Sequence, residues 1–368
     1  MKNKALKLIS LLLALAVLLG MVISCESAPQ EPPAATRTIT DMDGNSVELP
    51  IPEDIERVAV LTSPTVQLIY IVSEQDKLCA MTASQSKFKL FEKFYPRQAE
   101  IPAPRKCQAD INIEALLATN PQFCIGSKGD MDVVNKNTNL TTVTVGTLSP
   151  TLFFECLKEE VRLFGEIFGK EERAEKYCTY LDNAHADIEF RMADIPEDQR
   201  VKVYMGYGPG HLITYGGDTY MQEQIEAAGC RNVAEELSTI SGKEGGLSTV
   251  SMEQVLDWDP DIVVIDTGST ADLAKDPVWA AITAVKNGNV FRLPVGGFIW
   301  NRPSAEAAVL LPRWLALKAY PDKFGDVNIE QEIKRYFHEI LGFDLSDEDV
   351  SKILNPPGWP IPSKGKWK

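Results

Sequence analysis

The sequence is poor in histidine and lacks the short motifs of common enzymes. It has 3 histidines in 368 residues and contains no C-x-x-C pair, no G-x-S-x-G elbow, no P-loop and no H-E-x-x-H. A zinc site or a hydrolase built on these motifs is therefore not indicated. We predict that the protein is not an enzyme and has no catalytic residues, no metal ligands and no cofactor.

An excess of basic residues is also missing. The chain has 37 Lys and Arg against 52 Asp and Glu, and its formal net charge is -15. Because nucleic-acid phosphates repel such a surface, and because no basic patch is segregated, we exclude nucleic acid as a partner. Apolar residues at 44% and charged residues at 24% are ordinary globular values, and the length suits about two domains.

The only long apolar run lies at the N-terminus. Lys2, Lys4 and Lys7 precede an almost wholly apolar stretch at residues 8–23, which is the form of an export signal. Ser24-Cys25 then resembles the lipobox of bacterial lipoproteins, in which the cysteine is lipidated. We predict a signal peptide at 1–24, lipidation of Cys25 and a flexible tether at 25–36. The alternative is an uncleaved anchor; either predicts an extracytoplasmic, membrane-attached protein, periplasmic or at the cell surface.

Short apolar strands alternate with helices on both sides of a helical middle. Strands are predicted at 57–61, 78–82, 122–125 and 142–145 after an opening hairpin at 38–49, and again at 201–205, 262–265 and 290–293. This alternation is typical of parallel α/β sheets. We predict an N-terminal α/β lobe at 37–165 and a C-terminal α/β lobe at 197–345, followed by a tail at 346–368.

A long helix is expected between the two lobes. Apolar residues recur at three- and four-residue spacings from 157 to 168, and residues 171–193 then run without Gly or Pro. Those 23 residues would span about 35 Å as one helix. We assign the linking helix to 166–196.

One segment is repeated in the two halves. Glu114 and Pro121 recur as Glu253 and Pro260 at a constant offset, each pair within a helix–Pro–strand unit. This pattern favours duplication, although such units are common in α/β proteins. Because ligands of open α/β sheets lie beyond the carboxyl ends of the strands, two similar lobes predict a ligand cleft between them.

These features, in this order, resemble the solute-binding lipoproteins of ABC importers for ferric siderophores, haem and vitamin B12. The resemblance rests further on Gly216-Gly217-Asp218-Thr219 and on Trp300-Asn301-Arg302-Pro303-Ser304. It implies two Rossmann-like lobes joined by one long helix, and an ABC permease dimer with its ATPase as partner. It also implies that Glu114 and Glu253 dock onto permease arginines. A helix-capping role for both glutamates is the alternative.

Candidate ligand contacts follow the strand ends of both lobes: Ser63, Gln85, Lys128, Tyr207, His211, Tyr215, Trp300 and Arg302. Arg302 and Lys128 offer positive charge to an anionic chelate, and Trp300 and the tyrosines offer flat faces. The tyrosines could instead pack a loop, and Arg302 could cap a helix or pair with an acid. His211 could ligate a haem or corrinoid metal, or be a hydrogen-bonded loop residue.

The sequence therefore predicts a monomeric, lipid-anchored binding protein that captures a ferric siderophore, haem or a corrinoid and delivers it to a permease. The alternatives are an extracytoplasmic enzyme and a sensory ligand-binding domain. The chain ends after Lys368 without a second membrane segment, which argues against the sensor.

Overall fold

A computed structural model describes residues 35–146, 152–238 and 247–356. The predicted signal peptide, the lipidation site Cys25 and nearly all of the tether lie outside the described residues, as does the end of the tail. Within the described ranges, no helix combines the length and the apolar character needed to cross a membrane.

The first lobe begins with the predicted hairpin and continues as a parallel sheet flanked by short helices. Its strands are β1 (Thr36–Thr40), β2 (Ser46–Pro50), β3 (Val58–Val60), β4 (Leu78–Ala80), β5 (Arg105–Cys107), β6 (Asp110–Ile111), β7 (Phe123–Ser127) and β8 (Thr141–Val145). Its helices are α1 (Val66–Ile71), α2 (Leu90–Phe94), α3 (Ile113–Ala118) and α4 (Lys128–Asn137). The hairpin turn uses Gly44, whose φ of 80° favours glycine.

Two helices follow and separate the lobes: α5 (Phe153–Phe168) and α6 (Glu171–Met192). Gly169 separates them with a φ of 62°. The 22 residues of α6 span about 33 Å, so the long linking helix is confirmed, although α6 begins five residues later and ends four residues earlier than the predicted range of 166–196. Along it, Arg173 Nε donates to Ile71 O of the first lobe at 2.7 Å, and Tyr177 donates to Ala305 O at 2.9 Å.

The second lobe repeats the plan of the first. Its strands are β9 (Lys202–Gly206), β10 (Ile213–Tyr215), β11 (Arg231–Asn232), β12 (Leu247–Thr249), β13 (Ile262–Ile265) and β14 (Val290–Arg292). Its helices are α7 (Tyr220–Ala227), α8 (Met252–Trp258), α9 (Thr270–Lys275) and α10 (Thr283–Lys286). The chain is extended at Ile282, just before α10, and Asp259 Oδ1 caps α10 by accepting from Thr283 N at 2.7 Å.

The two main sheets have equivalent parallel topologies. Their strand orders are β4-β3-β7-β8 and β11-β9-β13-β14. The two copies of the repeated segment are α3 with β7 and α8 with β13, and both strands occupy the third position of their sheet. Val58 and Ala59 of β3 and Val263 of β13 are fully buried, as apolar strands covered on both faces require. The fold is thus two separate α/β lobes, as predicted.

The C-terminal region differs from the sequence-based expectation. It contains α11 (Ala305–Ala319), α12 (Ile329–Tyr336) and α13 (Asp347–Leu354), whereas an irregular tail was expected from residue 346. Ser346 and Asp349 form a capping box that starts α13. The segment packs on the first lobe: Phe343 stacks on Phe94 with ring centroids 4.5 Å apart, and Lys93 pairs with Asp349. The C-terminal segment therefore packs against the first lobe, and stacked aromatic rings contribute to this contact.

Candidate functional site

The carboxyl edge of the first sheet carries a group of hydroxyls. Ser63 follows β3, and Thr82 and Ser84 follow β4; we call these three residues the hydroxyl cluster. Ser63 Oγ lies 2.9 Å from Thr82 Oγ1, Thr82 Oγ1 lies 3.1 Å from Ser84 Oγ, and Ser63 also contacts Ser84. Ser63 and Thr82 are buried. The cluster is neutral and can both donate and accept hydrogen bonds.

Gln85 connects this edge to the second half of the chain. Its side chain is fully buried, and Nε2 donates to Gly297 O at 3.2 Å. Nearby, the rings of Phe88 and Phe298 pack with centroids 4.4 Å apart. The predicted site residue Gln85 is therefore an inter-lobe contact in the structure.

Arg302 lies between two tyrosines at the second lobe. Its Nη1 donates to Tyr215 Oη at 2.7 Å and its Nη2 donates to Tyr207 Oη at 3.1 Å, while the guanidinium carbon lies 5.0 Å from the Tyr207 ring centroid. Burial by itself lowers the pKa of Arg302, but the hydroxyls of Tyr215, Tyr220 and Tyr207 outweigh burial and hold the pKa above its usual range. Arg302 therefore supplies a permanent positive charge in a fixed orientation.

His211 occupies a strained loop after β9. Its φ is 57°, and Gly208 and Gly210 in the same loop also have positive φ values. Burial, with a smaller effect from Arg292, lowers the pKa of the imidazole, so the ring is neutral at neutral pH. Nδ1 has no hydrogen-bond partner among the described residues.

Two charged residues at this edge were missed by the sequence analysis. Asp266 follows β13, and its Oδ1 accepts from Gly208 N at 2.9 Å; burial raises the pKa of this carboxyl group. Arg292 ends β14, and burial lowers its pKa. Neither terminal nitrogen of Arg292, nor Asp266 Oδ2, has a hydrogen-bond partner in the described part of the chain. Asp266 directly follows β13, so the rule that ligands lie beyond the carboxyl ends of strands could have selected it from the sequence.

Two predicted site residues lie elsewhere. Lys128 is exposed at the start of α4, and its Nζ lies 3.0 Å from Asp43 and 3.8 Å from Asp132, so it pairs with the opening hairpin and its own helix. Trp300 is fully buried, and its Nε1 donates to Glu306 Oε1 at 2.8 Å. Its ring is packed inside the protein, and Glu306 provides the hydrogen-bond partner that the buried indole N–H requires. The fully enclosed Tyr215 likewise offers no flat face.

Glu114 and Glu253 occupy equivalent exposed positions. Each lies in the first turn of its helix, after Asn112 and Ser251, whose side chains accept from the helix N–H groups at 3.0 Å and 3.2 Å. Because both helices already have capping side chains, the two carboxylates need not serve as caps. Their role in permease docking stays a prediction.

Among the described residues, the second-lobe edge carries two arginines and one aspartate. The first-lobe edge carries the hydroxyl cluster and the ion pair of the buried Asp130 with Arg105, whose charged groups lie 3.2 Å apart. No group of three or more His, Cys, Asp or Glu residues within the described ranges is placed to hold a metal ion. This arrangement can bind an anion through charge at one lobe and hydrogen bonds at the other.

A family model described as periplasmic binding protein matches residues 58–295. The molybdate-binding protein MolA of Haemophilus influenzae is 27% identical over 342 residues, covering 86% of this chain and 94% of the relative. A cobalamin-binding protein of Halobacterium salinarum is 22% identical over 277 residues, which is 72% of each chain.

Two solved structures share the fold at 24% sequence identity. A periplasmic solute-binding protein from Veillonella parvula has a TM-score of 0.75 and covers 87% of this chain and 97% of its own. Molybdate-bound MolA has a TM-score of 0.71 and covers 84% of this chain and 99% of its own. Both likenesses concern the two-lobe architecture.

Proposed function

The chain belongs to the periplasmic binding protein family, and from this premise we propose that it captures an anionic, oxygen-rich metal species and delivers it to an ABC permease. The observation that carries the proposal is Arg302, held between Tyr207 and Tyr215 at the carboxyl edge of one sheet. The hydroxyl cluster at the corresponding edge of the other sheet complements it. Charge from one lobe and hydrogen bonds from the other suit a ligand that presents oxygen atoms.

A metal chelate is the first form of such a ligand. A ferric siderophore, haem or a corrinoid would be held through its organic shell, and a relative that is a cobalamin-binding protein supports this form. The siderophore fits this polar edge better than the two macrocycles, because the rings of Trp300 and Tyr215 are buried and only Tyr207, among the predicted flat faces, is partly exposed.

A tetrahedral oxyanion such as molybdate is the second form. It is favoured by the compactness of the hydroxyl cluster, whose oxygens lie within about one hydrogen bond of one another. MolA, a molybdate-binding protein, also matches 86% of this chain. Arginine and hydroxyl donors suffice for an anion of this size without a metal ligand from the protein.

Titration of the purified protein without its signal peptide tests the proposal. The panel is sodium molybdate, a ferric hydroxamate, a ferric catecholate, haem and cobalamin, with sodium sulfate as a control for unspecific anion binding. We expect saturable binding to one class, measured by calorimetry and tryptophan fluorescence. Indifference to the whole panel would contradict the proposed ligand class, and tight binding of sulfate alone would replace it with a non-metal oxyanion.

We also propose that Cys25 carries a lipid that keeps the protein at the membrane. Fractionation of cells that express the full chain should find the wild type with the membrane and Cys25→Ala in the soluble or secreted fraction. A Cys25→Ala variant that stays at the membrane would support the uncleaved anchor instead. Cys107→Ala, at an exposed thiol of the first lobe, is the matched control and should not move.

A further inference from the structure

Glu306 is a buried acid at the second position of α11. Its side chain is fully enclosed; Oε2 accepts from Gly297 N and Oε1 from Trp300 Nε1, each at 2.8 Å. The backbone N–H of Phe298 also donates to the carboxyl group. In the described part of the chain, N–H groups rather than a cation stabilise this carboxylate. We call residues 296–302, which supply these donors, the arginine loop.

The arginine loop lies directly against this carboxylate. A Cβ atom added at Gly296 would overlap Glu306 Oε1, and one added at Gly297 would lie 2.6 Å from the Phe91 ring and 3.0 Å from Glu306 Oε2. Only glycine therefore fits at both positions. The loop is enclosed by Glu306 on one side and by a first-lobe aromatic ring on the other.

The arginine loop also holds both halves of the candidate site. Gly297 O accepts from Gln85 of the first lobe, next to the hydroxyl cluster. At its other end, Asn301 O accepts from Tyr215 Oη at 3.1 Å and Tyr220 Oη at 2.9 Å, and Arg302 follows. A change in the loop backbone would therefore move Arg302 and the inter-lobe contact together.

We propose, on the basis of the ligand-binding function proposed above, that Glu306 is a positioning residue: its buried carboxyl group fixes the arginine loop, and through it the orientation of Arg302 and the contact with Gln85. Glu306 does not touch the ligand. A carboxyl group is required because both of its oxygens accept from N–H groups. Glutamine has one acceptor oxygen, and its amide would point N–H groups at a loop donor.

Two substitutions and one control test the proposal. Glu306→Gln keeps the size of the side chain and loses one acceptor, and Trp300→Phe removes only the indole donor. Glu160→Gln is the matched control, because Glu160 is an equally buried glutamate that accepts from Thr65 Oγ1 at 2.6 Å, away from the loop. The ligand probes are sodium molybdate and ferrichrome, a ferric hydroxamate.

Two measurements on the loop need no ligand. Proton NMR of the tryptophan indoles, in which Trp300 is the signal that Trp300→Phe removes, should show an upfield shift of that signal in Glu306→Gln. Amide exchange at Gly297 should accelerate by at least about tenfold. Glu160→Gln should leave both unchanged. An unchanged Trp300 indole and unchanged Gly297 exchange in a folded Glu306→Gln variant would overturn the proposal.

Ligand affinity provides the third readout. For whichever probe the wild type binds, we expect Glu306→Gln to weaken affinity by at least about tenfold, Trp300→Phe to weaken it less, and Glu160→Gln to leave it within about twofold. A loosened loop with wild-type affinity would overturn the link to the ligand. If the wild type binds neither probe, molybdate and ferric hydroxamates are not its ligands, and the indole and exchange data still decide whether Glu306 fixes the loop. If Glu306→Gln does not fold, Trp300→Phe must loosen the loop and weaken binding, or the proposal is wrong.

Discussion

The side-chain amide of Gln85 donates to the backbone carbonyl of Gly297 at 3.2 Å, and the two residues are 212 positions apart in the chain. Gln85 lies in the first lobe beside the hydroxyl cluster, and Gly297 lies in the arginine loop. This buried bond joins the two lobes at the edge where the candidate site residues meet. The geometry around it is the basis of four predictions.

The first prediction concerns this bond itself. Gln85→Leu leaves Gly297 O buried without its donor, so the free energy of unfolding should fall by about 1–3 kcal/mol. Because the bond joins the lobes, ligand affinity should fall as well, by about fivefold if the bond contributes about 1 kcal/mol to the closed arrangement. Urea denaturation and calorimetry measure the two effects.

Gln98→Leu is the control for that variant. Gln98 is equally buried and donates to Phe88 O at 3.3 Å, but within the first lobe. It should lose stability to a similar degree and keep its ligand affinity. Equal losses of affinity in the two variants would mean that general destabilisation, and not the inter-lobe bond, is responsible.

The second prediction separates the two cations that the sequence placed in the site. Arg302→Ala should weaken an anionic ligand by more than about tenfold, since a hydrogen bond to a charged group is worth about 1.5–3 kcal/mol. Arg302→Lys should recover little, because one ammonium group cannot hold two tyrosines and a ligand in the planar geometry of guanidinium. Lys128→Ala should bind as the wild type does, since Lys128 pairs with Asp43 at the surface.

Calorimetry at two ionic strengths checks this. The affinity of the wild type should fall with added salt more steeply than that of Arg302→Ala. A Lys128→Ala variant that binds as weakly as Arg302→Ala would return Lys128 to the site.

The third prediction concerns delivery to the permease. The double variant Glu114→Ala with Glu253→Ala should reduce uptake by cells by more than about tenfold, because each substitution removes one side of a charged contact. Ligand binding by the purified protein should stay unchanged, since both side chains are exposed and lie in helix first turns. Uptake of labelled ligand and calorimetry give the comparison.

Glu171→Ala with Glu172→Ala is the matched control. These two acids are also exposed in the first turn of a helix, here the linking helix α6. They therefore reproduce any effect on the helix dipole without touching the predicted docking positions. If both double variants transport normally, Glu114 and Glu253 have no docking role.

The fourth prediction is a pH dependence of stability. Burial raises the pKa of Glu306 from 4.5 to about 7, against the effect of its N–H donors. The folded protein therefore holds this proton more tightly than the unfolded chain, so the contribution of Glu306 to stability is full below about pH 4.5 and is lost as the pH rises through about 7. A shift of this size corresponds to about 3 kcal/mol.

The comparison of wild type and Glu306→Gln isolates this effect. Burial lowers the pKa values of His185 and His211, so their contributions change in the opposite sense, and they are lost as the pH falls below about 6.5. These contributions cancel in the difference between the two proteins. We expect the wild type to lose stability relative to Glu306→Gln between pH 5 and pH 8, and a constant difference would contradict the shifted pKa.

Much of the fold could be predicted from local patterns of apolar residues in the sequence. The bounds of β13 were predicted to the residue, and the stripe from Leu157 to Phe168 is buried in α5. Such elements are determined by neighbouring residues, because helix and strand periodicity reflect which face is buried. The C-terminal helix α13 was missed because it is short and one of its anchoring contacts, the ion pair of Asp349 with Lys93, joins residues about 250 positions apart.

Only part of the candidate site could be predicted from the sequence. Arg302, Tyr207 and Tyr215 were predicted as ligand contacts, and the structure brings them together, but Asp266, Arg292 and Thr82 were not singled out. The rule that ligands lie beyond the carboxyl ends of the strands identifies which loops meet at one edge of the sheet. It does not identify which side chains point outward, since that depends on packing behind the loop.

The amino-acid sequence by itself determined the two α/β lobes, the linking helix and the repeated unit that carries Glu114 and Glu253, because each follows from periodicity or from similarity along the chain. Only the tertiary structure decided that Trp300 supports a loop, that Lys128 pairs at the surface and that Glu306 accepts hydrogen bonds from Gly297 and Trp300. Those outcomes depend on hydrogen-bond partners and burial contributed by distant segments, and a buried polar group is stable only where such partners meet it.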